Sequence, residues 1–430
     1  MRSSLILAGT SVAVANAFGW PKGFDTLVTF GDSYTDNGRL GYYIGHGGQA
    51  PPPGQYHDVS NVTASGGLSW AQSAALGAGA KLMDYAVSGA VCSNQIVARY
   101  ASFMNREFPA ILDDEIPSFK ADIAFKSLYP NRNPANTVYA VWIGTNDLGF
   151  DAFLSDSQAP GKTISDFVDC VWSVFDAVYK TGGRRFVLLN TAPLELSPLY
   201  AHPDDGGIGD SQFWNTKTKY NMTEYGYKIK EYTTNVNTMF EYGVPFQKLL
   251  KLRWPLATLD LFDVHSLLKD IHSQPAKYLD APASTGYYRH CAPAGSPCVD
   301  QTDVGPLSSF MWFDELHPSD KTSRFWSSCT KRNETKKLTC HLRLHHCQEL
   351  PRRGRRQVQV RDSVLIGRFN GKGPKFITKS NVMLQNSKQS LTIRLMCHGQ
   401  RESRDNLHAR LETCSGRALL PCLDGHSPKT

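Results

Sequence analysis

The sequence of 430 residues lacks several features that would point to common functions. None of its apolar runs is long enough to cross a membrane as a helix. It has no Walker sequence, and no G-x-G-x-x-G follows a strand-like segment, so the standard nucleotide-binding motifs are absent. Neither an internal repeat nor a low-complexity tract precedes Arg324. We therefore expect no membrane span and no nucleic-acid partner.

The end of the chain also lacks tyrosine, since all 18 tyrosines lie before Phe325. From Phe325 onward there are 21 lysines and arginines against 7 acidic residues, whereas the preceding residues carry 25 against 32. The same end holds six of the ten cysteines. Two compositions meet near Arg324. We predict a folded domain over residues 18–324 and an irregular, basic extension over residues 325–430.

The first 17 residues are typical of a secretory signal peptide. Arg2 supplies the charged start, residues 5–15 form a short apolar core, and Ala15-Asn16-Ala17 fits the small-x-small rule for cleavage. We therefore expect a secreted, extracellular protein. Three N-x-T sequons, a motif that also occurs by chance, are candidates for glycosylation: Asn61, Asn221 and Asn333.

Four cysteines lie before Phe325, and an even number in a secreted chain suggests disulfide bonds. Cys291 and Cys298 enclose a short loop rich in proline and glycine and are the favoured pair. Cys92 and Cys170 are then left to pair by elimination, or they are two buried thiols.

Strand-like and helix-like segments alternate along the first three quarters of the chain. Apolar, β-prone runs predict strands at 27–30, 81–87, 137–143, 185–190 and 256–262. Helical spacing of apolar residues predicts helices at 68–76, 167–180, 221–242 and 264–271. This alternation is typical of an α/β protein in which helices cover both faces of a parallel sheet.

The first predicted strand stops abruptly at Gly31-Asp32-Ser33, which places a serine on a tight turn. Ligands and reactive groups gather at the carboxyl ends of strands in open α/β sheets, so Ser33 is a candidate nucleophile. Most turn serines only bond their own backbone. The G-x-S-x-G nucleophile elbow is also absent here, because Thr35 replaces its second glycine. The rest of the chain must therefore supply a base, an acid that orients it, and oxyanion donors.

Asp314 and His317 are three residues apart, a spacing that can bring a carboxylate beside an imidazole. A carboxylate that accepts from one ring nitrogen fixes the tautomer and leaves the other nitrogen free as a base. Pro318 disfavours a helical conformation at His317, so we expect the histidine in an extended loop. The alternative is an ordinary surface pair.

Two further candidate residues follow predicted strands. Asn146 follows Gly144 after the third strand, where its amide could donate to an oxyanion or merely bond its own turn. Gly89 follows the second strand, and it could offer a backbone N–H or simply form a left-handed turn.

Together these residues form four blocks that resemble the SGNH or GDSL hydrolases: GDSY at 31–34, SGA at 88–90, GTND at 144–147 and DELHP at 314–318. The surrounding FGDSYTDNGR and FMWFDELHPS resemble the fungal secreted branch of that family, which includes acetylesterases of a carbohydrate-esterase type. The resemblance covers about residues 24–324. It implies a flavodoxin-like, three-layer α/β sandwich around a five-stranded parallel sheet.

The resemblance also implies a role for each matching residue. Ser33 would be the nucleophile, His317 the general base and Asp314 the residue that orients it. The oxyanion would be held by the backbone N–H groups of Ser33 and Gly89 and by the side chain of Asn146. Asp32 and Asp147 would support the turns. One departure is Ser88, which stands where this branch often has a second glycine, so a positive φ there would disturb the oxyanion site.

The implied activity is ester hydrolysis through an acyl-enzyme, most simply the removal of short acyl groups such as acetyl from carbohydrate. It requires no metal and no organic cofactor, and we expect a monomer. One alternative is a lipase or phospholipase that acts on longer acyl esters. Another is an inactive binding relative, which would follow if the helix that closes the fold after DELHPS were missing.

The basic extension allows three interpretations. It is an appendage that binds polyanions, or a metal site, or a segment that does not continue the true coding sequence; the sharp change in composition favours the last. The residues considered for a metal are Cys340, His341, His345, His346 and Cys347, whose spacing fits no standard site.

Overall fold

The computed structural model describes residues 23–325. The expected signal peptide, the sequon at Asn333, the cysteine and histidine group at 340–347 and the extension beyond Phe325 lie outside the described residues. Among the residues described, no helix is both long and apolar enough to cross a membrane.

The described chain contains the following regular elements. The strands are β1 Thr26–Gly31, β2 Lys81–Asp84, β3 Tyr100–Ala101, β4 Arg106–Glu107, β5 Thr137–Trp142, β6 Arg185–Leu189, β7 Thr258–Phe262, β8 Ser284–Tyr287, β9 Arg289–Cys291, β10 Cys298–Asp300 and β11 Phe310–Trp312. The α-helices are α1 Arg39–Gly45, α2 Trp70–Ala78, α3 Ile116–Asp122, α4 Thr145–Leu148, α5 Ile164–Lys180, α6 Met222–Pro245, α7 Val264–Ser273, α8 Pro275–Tyr278 and α9 Asp320–Ser323.

A five-stranded parallel sheet forms the centre of the fold, in the order β2-β1-β5-β6-β7. Every residue of β5 is buried, which requires cover on both faces of the sheet. Helix α2 packs against β1 and β2, and α6 packs against β7 and α5. The predicted three-layer α/β sandwich with five parallel strands is confirmed.

The strand order reverses between β1 and β5, because the chain first adds β2 on one side and then continues on the other. In sheets of this kind, ligands bind beyond the carboxyl ends of the strands at such a switch point. Ser33 follows β1 and Asn146 follows β5, so both lie at this point. The topology therefore places two of the predicted site residues side by side.

Local capping explains where the helices differ from the predicted ranges. Helix α5 begins at Ile164 rather than at 167, because Thr163 and Asp166 form a capping box. Helix α2 begins after Ser69, which forms a capping box with Gln72. At the sheet edge, β2 ends at Asp84, although the backbone N–H groups of Tyr85 and Val87 still donate to β1, over 2.9 and 3.1 Å.

Three short strand pairs outside the sheet were not predicted: antiparallel β3–β4, antiparallel β9–β10 and parallel β8–β11. Strands of two to four residues are too short to show a period of two. Disulfide bonds join Cys291 to Cys298, across the β9–β10 pair, and Cys92 to Cys170. Two of the sequon asparagines, Asn61 and Asn221, are exposed, and the Asn221 side chain caps α6.

Candidate active site

The turn after β1 holds Ser33 at its tip. The carbonyl of Asp32 accepts the backbone N–H groups of Thr35 and Asp36, over 2.9 and 3.0 Å, and its carboxylate accepts that of Tyr34 over 3.0 Å. Gly31 is required because a Cβ at this position would lie 2.2 Å from the carbonyl oxygen of Trp142. Asp32 therefore closes the turn that presents the serine, and it does not touch the serine hydroxyl.

Buried carboxylates brace this turn from behind. Glu115 accepts the backbone N–H of Gly31 over 3.0 Å, and Asp84 accepts that of Asn37 over 3.0 Å. Burial raises the pKa of both carboxyls well above the ordinary value. Arg39, itself buried, opposes the rise through its positive charge. The sequence analysis missed Glu115, which directly precedes α3 and belongs to none of the four blocks.

Ser33, His317 and Asp314 form a continuous chain of hydrogen bonds. The Ser33 Oγ lies 2.7 Å from His317 Nε2, and His317 Nδ1 lies 2.8 Å from Asp314 Oδ2. Because an ionised carboxylate can only accept, Nδ1 carries the proton and Nε2 faces the serine hydroxyl as an acceptor. The three residues are 8%, 5% and 5% exposed, so water has little access to them. This arrangement can deprotonate the serine hydroxyl.

The Asp314–His317 segment is a series of bends rather than a helical turn. Asp314 Oδ1 accepts the backbone N–H groups of Leu316 and His317, over 2.9 and 2.8 Å, which folds the segment back on the carboxylate. His317 lies outside a helix, as Pro318 predicts. Tyr34 adds a tie from the serine turn, because its hydroxyl donates to the carbonyl of Leu316 over 2.8 Å.

Glu315 anchors the same segment from the other side and is fully buried. Its carboxylate accepts the backbone N–H of Cys291 over 3.0 Å and bonds the ring of His290, while its carbonyl accepts the N–H of Leu199 over 2.7 Å. The disulfide between Cys291 and Cys298 closes the hairpin that carries these donors. Described residues before Arg324 thus brace the segment that carries His317.

Burial and neighbouring charges shift the pKa values of the ionisable groups at this site. Burial lowers the pKa of His317, but the charge of Asp314 and its hydrogen bond raise it, and the net pKa lies above the ordinary value. Burial raises the pKa of Asp32 to about 6 and that of Asp147 to about 7. A raised histidine pKa favours the imidazolium that forms during proton transfer.

Gly89 adopts the left-handed conformation that only glycine tolerates readily, with φ +86°, and a Cβ there would lie 2.5 Å from the ring of Phe108. Ser88 does not have a positive φ. Its backbone N–H and its hydroxyl both donate to Asp36 Oδ2 over 2.8 Å. The departure at Ser88 is therefore accommodated. Within the described chain, the backbone N–H groups of Ser33 and Gly89 donate to no protein acceptor.

Asn146 lies in α4, and its amide is fixed at both ends. Its Nδ2 donates to the carbonyl of Ala90 over 2.9 Å, and its Oδ1 accepts from Arg99 Nη1 over 2.9 Å. The same Arg99 nitrogen donates to the carbonyl of Gly89 over 2.9 Å. Arg99 thus joins two residues of the predicted oxyanion site. Nothing in the sequence indicated Arg99, because it belongs to none of the four blocks.

Asp147 supports the loop that follows Gly89 and takes no part in the hydrogen bonds that join Ser33, His317 and Asp314. Its Oδ1 accepts the backbone N–H of Cys92 over 2.8 Å. The disulfide from Cys92 to Cys170 then ties this loop to α5. The carboxylate and the disulfide therefore hold the segment that follows Gly89 against the end of β5.

Comparison with known proteins agrees with this geometry. Residues 27–330 match the model of the GDSL-like Lipase/Acylhydrolase family. An acetylesterase of Hypocrea jecorina is 54% identical over 325 residues, which cover 74% of this chain and 92% of that protein. An acetylesterase of Thermothelomyces thermophilus is 29% identical over 182 residues, or 40% of this chain and 55% of that protein.

A thermolabile hemolysin of Vibrio parahaemolyticus is 21% identical over 315 residues, which cover 71% of this chain and 62% of that protein. The family match and the 54% identity support a hydrolase and count against an inactive binding relative. The predicted resemblance is confirmed: the chain belongs to the GDSL-like lipase and acylhydrolase family and is a carboxylic ester hydrolase.

Proposed function

We propose that this enzyme removes acetyl groups from carbohydrate through an acyl-enzyme formed on Ser33. The observation that carries the proposal is the 2.7 Å contact between Ser33 Oγ and His317 Nε2, on a ring held by Asp314. The preference for acetyl rests on the 54% identity to an acetylesterase. Two disulfides in the described chain agree with an oxidising, extracellular location, and we propose that the enzyme acts there as a monomer.

The proposed reaction has two symmetrical halves. Ser33 Oγ attacks the ester carbonyl carbon while its proton passes to His317 Nε2, and Asp314 stabilises the imidazolium. The tetrahedral intermediate collapses, and His317 returns the proton to the departing sugar oxygen. Water then attacks the acetyl-serine, again losing a proton to His317. Acetic acid leaves as Ser33 recovers its hydroxyl hydrogen from His317, and the acid then loses its own proton to the solvent. No step of this scheme uses a metal or cofactor.

Three donors would hold the oxyanion: the backbone N–H groups of Ser33 and Gly89 and the Nδ2 of Asn146. The bond from Arg99 to Asn146 Oδ1 supports this assignment, because it forces the amide to present Nδ2 on the opposite side. One Nδ2 hydrogen is bonded to Ala90, which leaves the second for substrate. Asp32 and Asp147 would support these turns without touching the reacting atoms.

A substrate series tests the proposal. We expect kcat/KM for p-nitrophenyl esters to fall steeply from acetate to octanoate, and acetylated oligosaccharides to release acetate. A preference for the long acyl chain would contradict the acetylesterase assignment and favour the lipase alternative. Activity on short esters with no release of acetate from any oligosaccharide would support an esterase of short acyl groups but would exclude carbohydrate as its substrate.

Asn146→Ala is expected to lower kcat about 10²–10³-fold and to change KM little, because an oxyanion donor acts only when negative charge has developed. Steady-state kinetics with p-nitrophenyl acetate measure both constants. Asn133→Ala, which alters an exposed loop, is the control and should behave like the unmodified enzyme. A rise in KM with an unchanged kcat would contradict the assignment of Asn146 as an oxyanion donor.

A further inference from the structure

We infer that a cavity next to the oxyanion site binds the sugar that carries the acetyl group; this inference rests on the proposed function. The cavity measures about 370 Å³, within the range of about 300–1,000 Å³ that is usual for small-molecule sites. It is lined by Ala98, Arg99, Tyr100, Phe108, Asp151 and Ser157.

Two residues of the cavity wall also contact Asn146 and Gly89, the residues that carry two of the proposed oxyanion donors. Arg99 lines it and also bonds the Asn146 amide and the Gly89 carbonyl, each over 2.9 Å. Phe108 lines it as well, and its ring leaves no room for a side chain at Gly89. The cavity therefore lies beside these two residues, on the side of Asn146 Oδ1 and the Gly89 carbonyl. We expect the alcohol part of an ester bound at the donors to extend into it.

The lining suits the alcohol part of the substrate better than the acyl part. An acetyl methyl group needs only a small fraction of the space. Arg99, Asp151 and Ser157 supply a cation, a carboxylate and a hydroxyl, which match the donors and acceptors of a polyhydroxylated ring. A long acyl chain would instead require an apolar lining.

Tyr100 provides the surface on which a sugar ring would stack. It is 59% exposed, it lies in the β3–β4 pair, and its hydroxyl donates to Asn105 over 2.6 Å, so the ring is both accessible and held in place. An aromatic ring offers a large rigid face that loses little entropy on binding. The tryptophans near the motifs do not offer such a face, since Trp142 and Trp312 are no more than 2% exposed.

The test compares Tyr100→Ala with Tyr100→Phe and with Tyr227→Ala, a control on α6 at a tyrosine that is 70% exposed. We expect Tyr100→Ala to lower kcat/KM for an acetylated oligosaccharide about tenfold, mainly through KM, and to leave p-nitrophenyl acetate unchanged. Tyr100→Phe keeps the ring and should remain within about twofold of the unmodified enzyme on both substrates, as should Tyr227→Ala.

The outcomes separate this inference from the proposed function. If the unmodified enzyme deacetylates the oligosaccharide and Tyr100→Ala does so equally well, the sugar subsite is wrong while the proposed function stands. If Tyr100→Ala loses equally on both substrates, the residue acts on the catalytic turn and the subsite is again wrong. A selective loss on p-nitrophenyl octanoate would make the cavity an acyl site. If the unmodified enzyme releases no acetate from the oligosaccharide, both the sugar subsite and the proposed function are wrong.

Discussion

Ser33→Ala is expected to lower kcat about 10⁴–10⁶-fold on p-nitrophenyl acetate and to abolish labelling by a fluorophosphonate probe. The substitution removes the oxygen that lies 2.7 Å from His317 Nε2, so no acyl-enzyme can form. The residual rate would come from the oxyanion donors and from substrate binding, which remain in place. The fold should persist, because the Ser33 hydroxyl bonds only this histidine among the described residues.

Ser173→Ala is the matched control, because Ser173 is a helical serine outside the catalytic group whose hydroxyl bonds its own helix. It should be labelled and should turn over ester like the unmodified enzyme. Circular dichroism and thermal unfolding of Ser33→Ala would establish that the variant is folded. Labelling of folded Ser33→Ala, or activity above about a hundredth of normal, would assign the nucleophile to another residue.

Asp314→Asn is expected to lower kcat about 10³–10⁴-fold, although the asparagine oxygen can still accept the backbone N–H groups of Leu316 and His317. An amide NH₂ at the Oδ2 position would face His317 Nδ1, in competition with the asparagine oxygen at the Oδ1 position, 2.9 Å from the same nitrogen, and would favour the ring proton on Nε2. The base would then point its hydrogen, rather than its lone pair, at Ser33. The loss therefore comes from the tautomer, and it should appear in kcat with little change in KM.

The pH profile distinguishes this tautomer effect from general damage. The proposed mechanism needs neutral His317, and Asp314 raises the pKa of that ring. We therefore expect kcat/KM of the unmodified enzyme to fall on the acid side of a pKa above the ordinary histidine value. Without the carboxylate charge the pKa drops, and the acid limb should move to lower pH. Asp280→Asn, at an exposed ion pair with Lys321, should leave the limb in place. An unmoved limb in Asp314→Asn would contradict the assignment.

Sequence reasoning was most reliable where a segment is buried on all sides. The run TVYAVW is apolar and β-prone throughout, and it forms β5, every residue of which is buried. It was less reliable at boundaries, because a helix begins where a cap forms rather than where the apolar period begins. Thr163 and Asp166 show this for α5. The short strand pairs such as β3–β4 were not predicted, because their pairing depends on the segments packed around them rather than on a periodic pattern in the sequence.

The four blocks determined which side chains to examine, because each combines residue types that acyl-transfer chemistry needs with the end of a strand or with a loop. The proposed nucleophile, base and orienting acid all come from these blocks. Their separation along the chain says nothing of distance, however. Ser33 and His317 are 284 residues apart in sequence and come within 2.7 Å only because the sheet and the DELHP loop bring them together.

The sequence by itself therefore determined the fold class, the family and the residues of the candidate site. Only the tertiary structure decided how those residues are held. Glu115 reaches Gly31 across 84 positions, Arg99 reaches Asn146 across 47, and Glu315 reaches His290 across 25. None of these partners shows a local pattern. Each forms its bond because a polar group that becomes buried on folding needs a hydrogen-bond partner. That requirement exists only in the folded chain, so no local sequence pattern reports it.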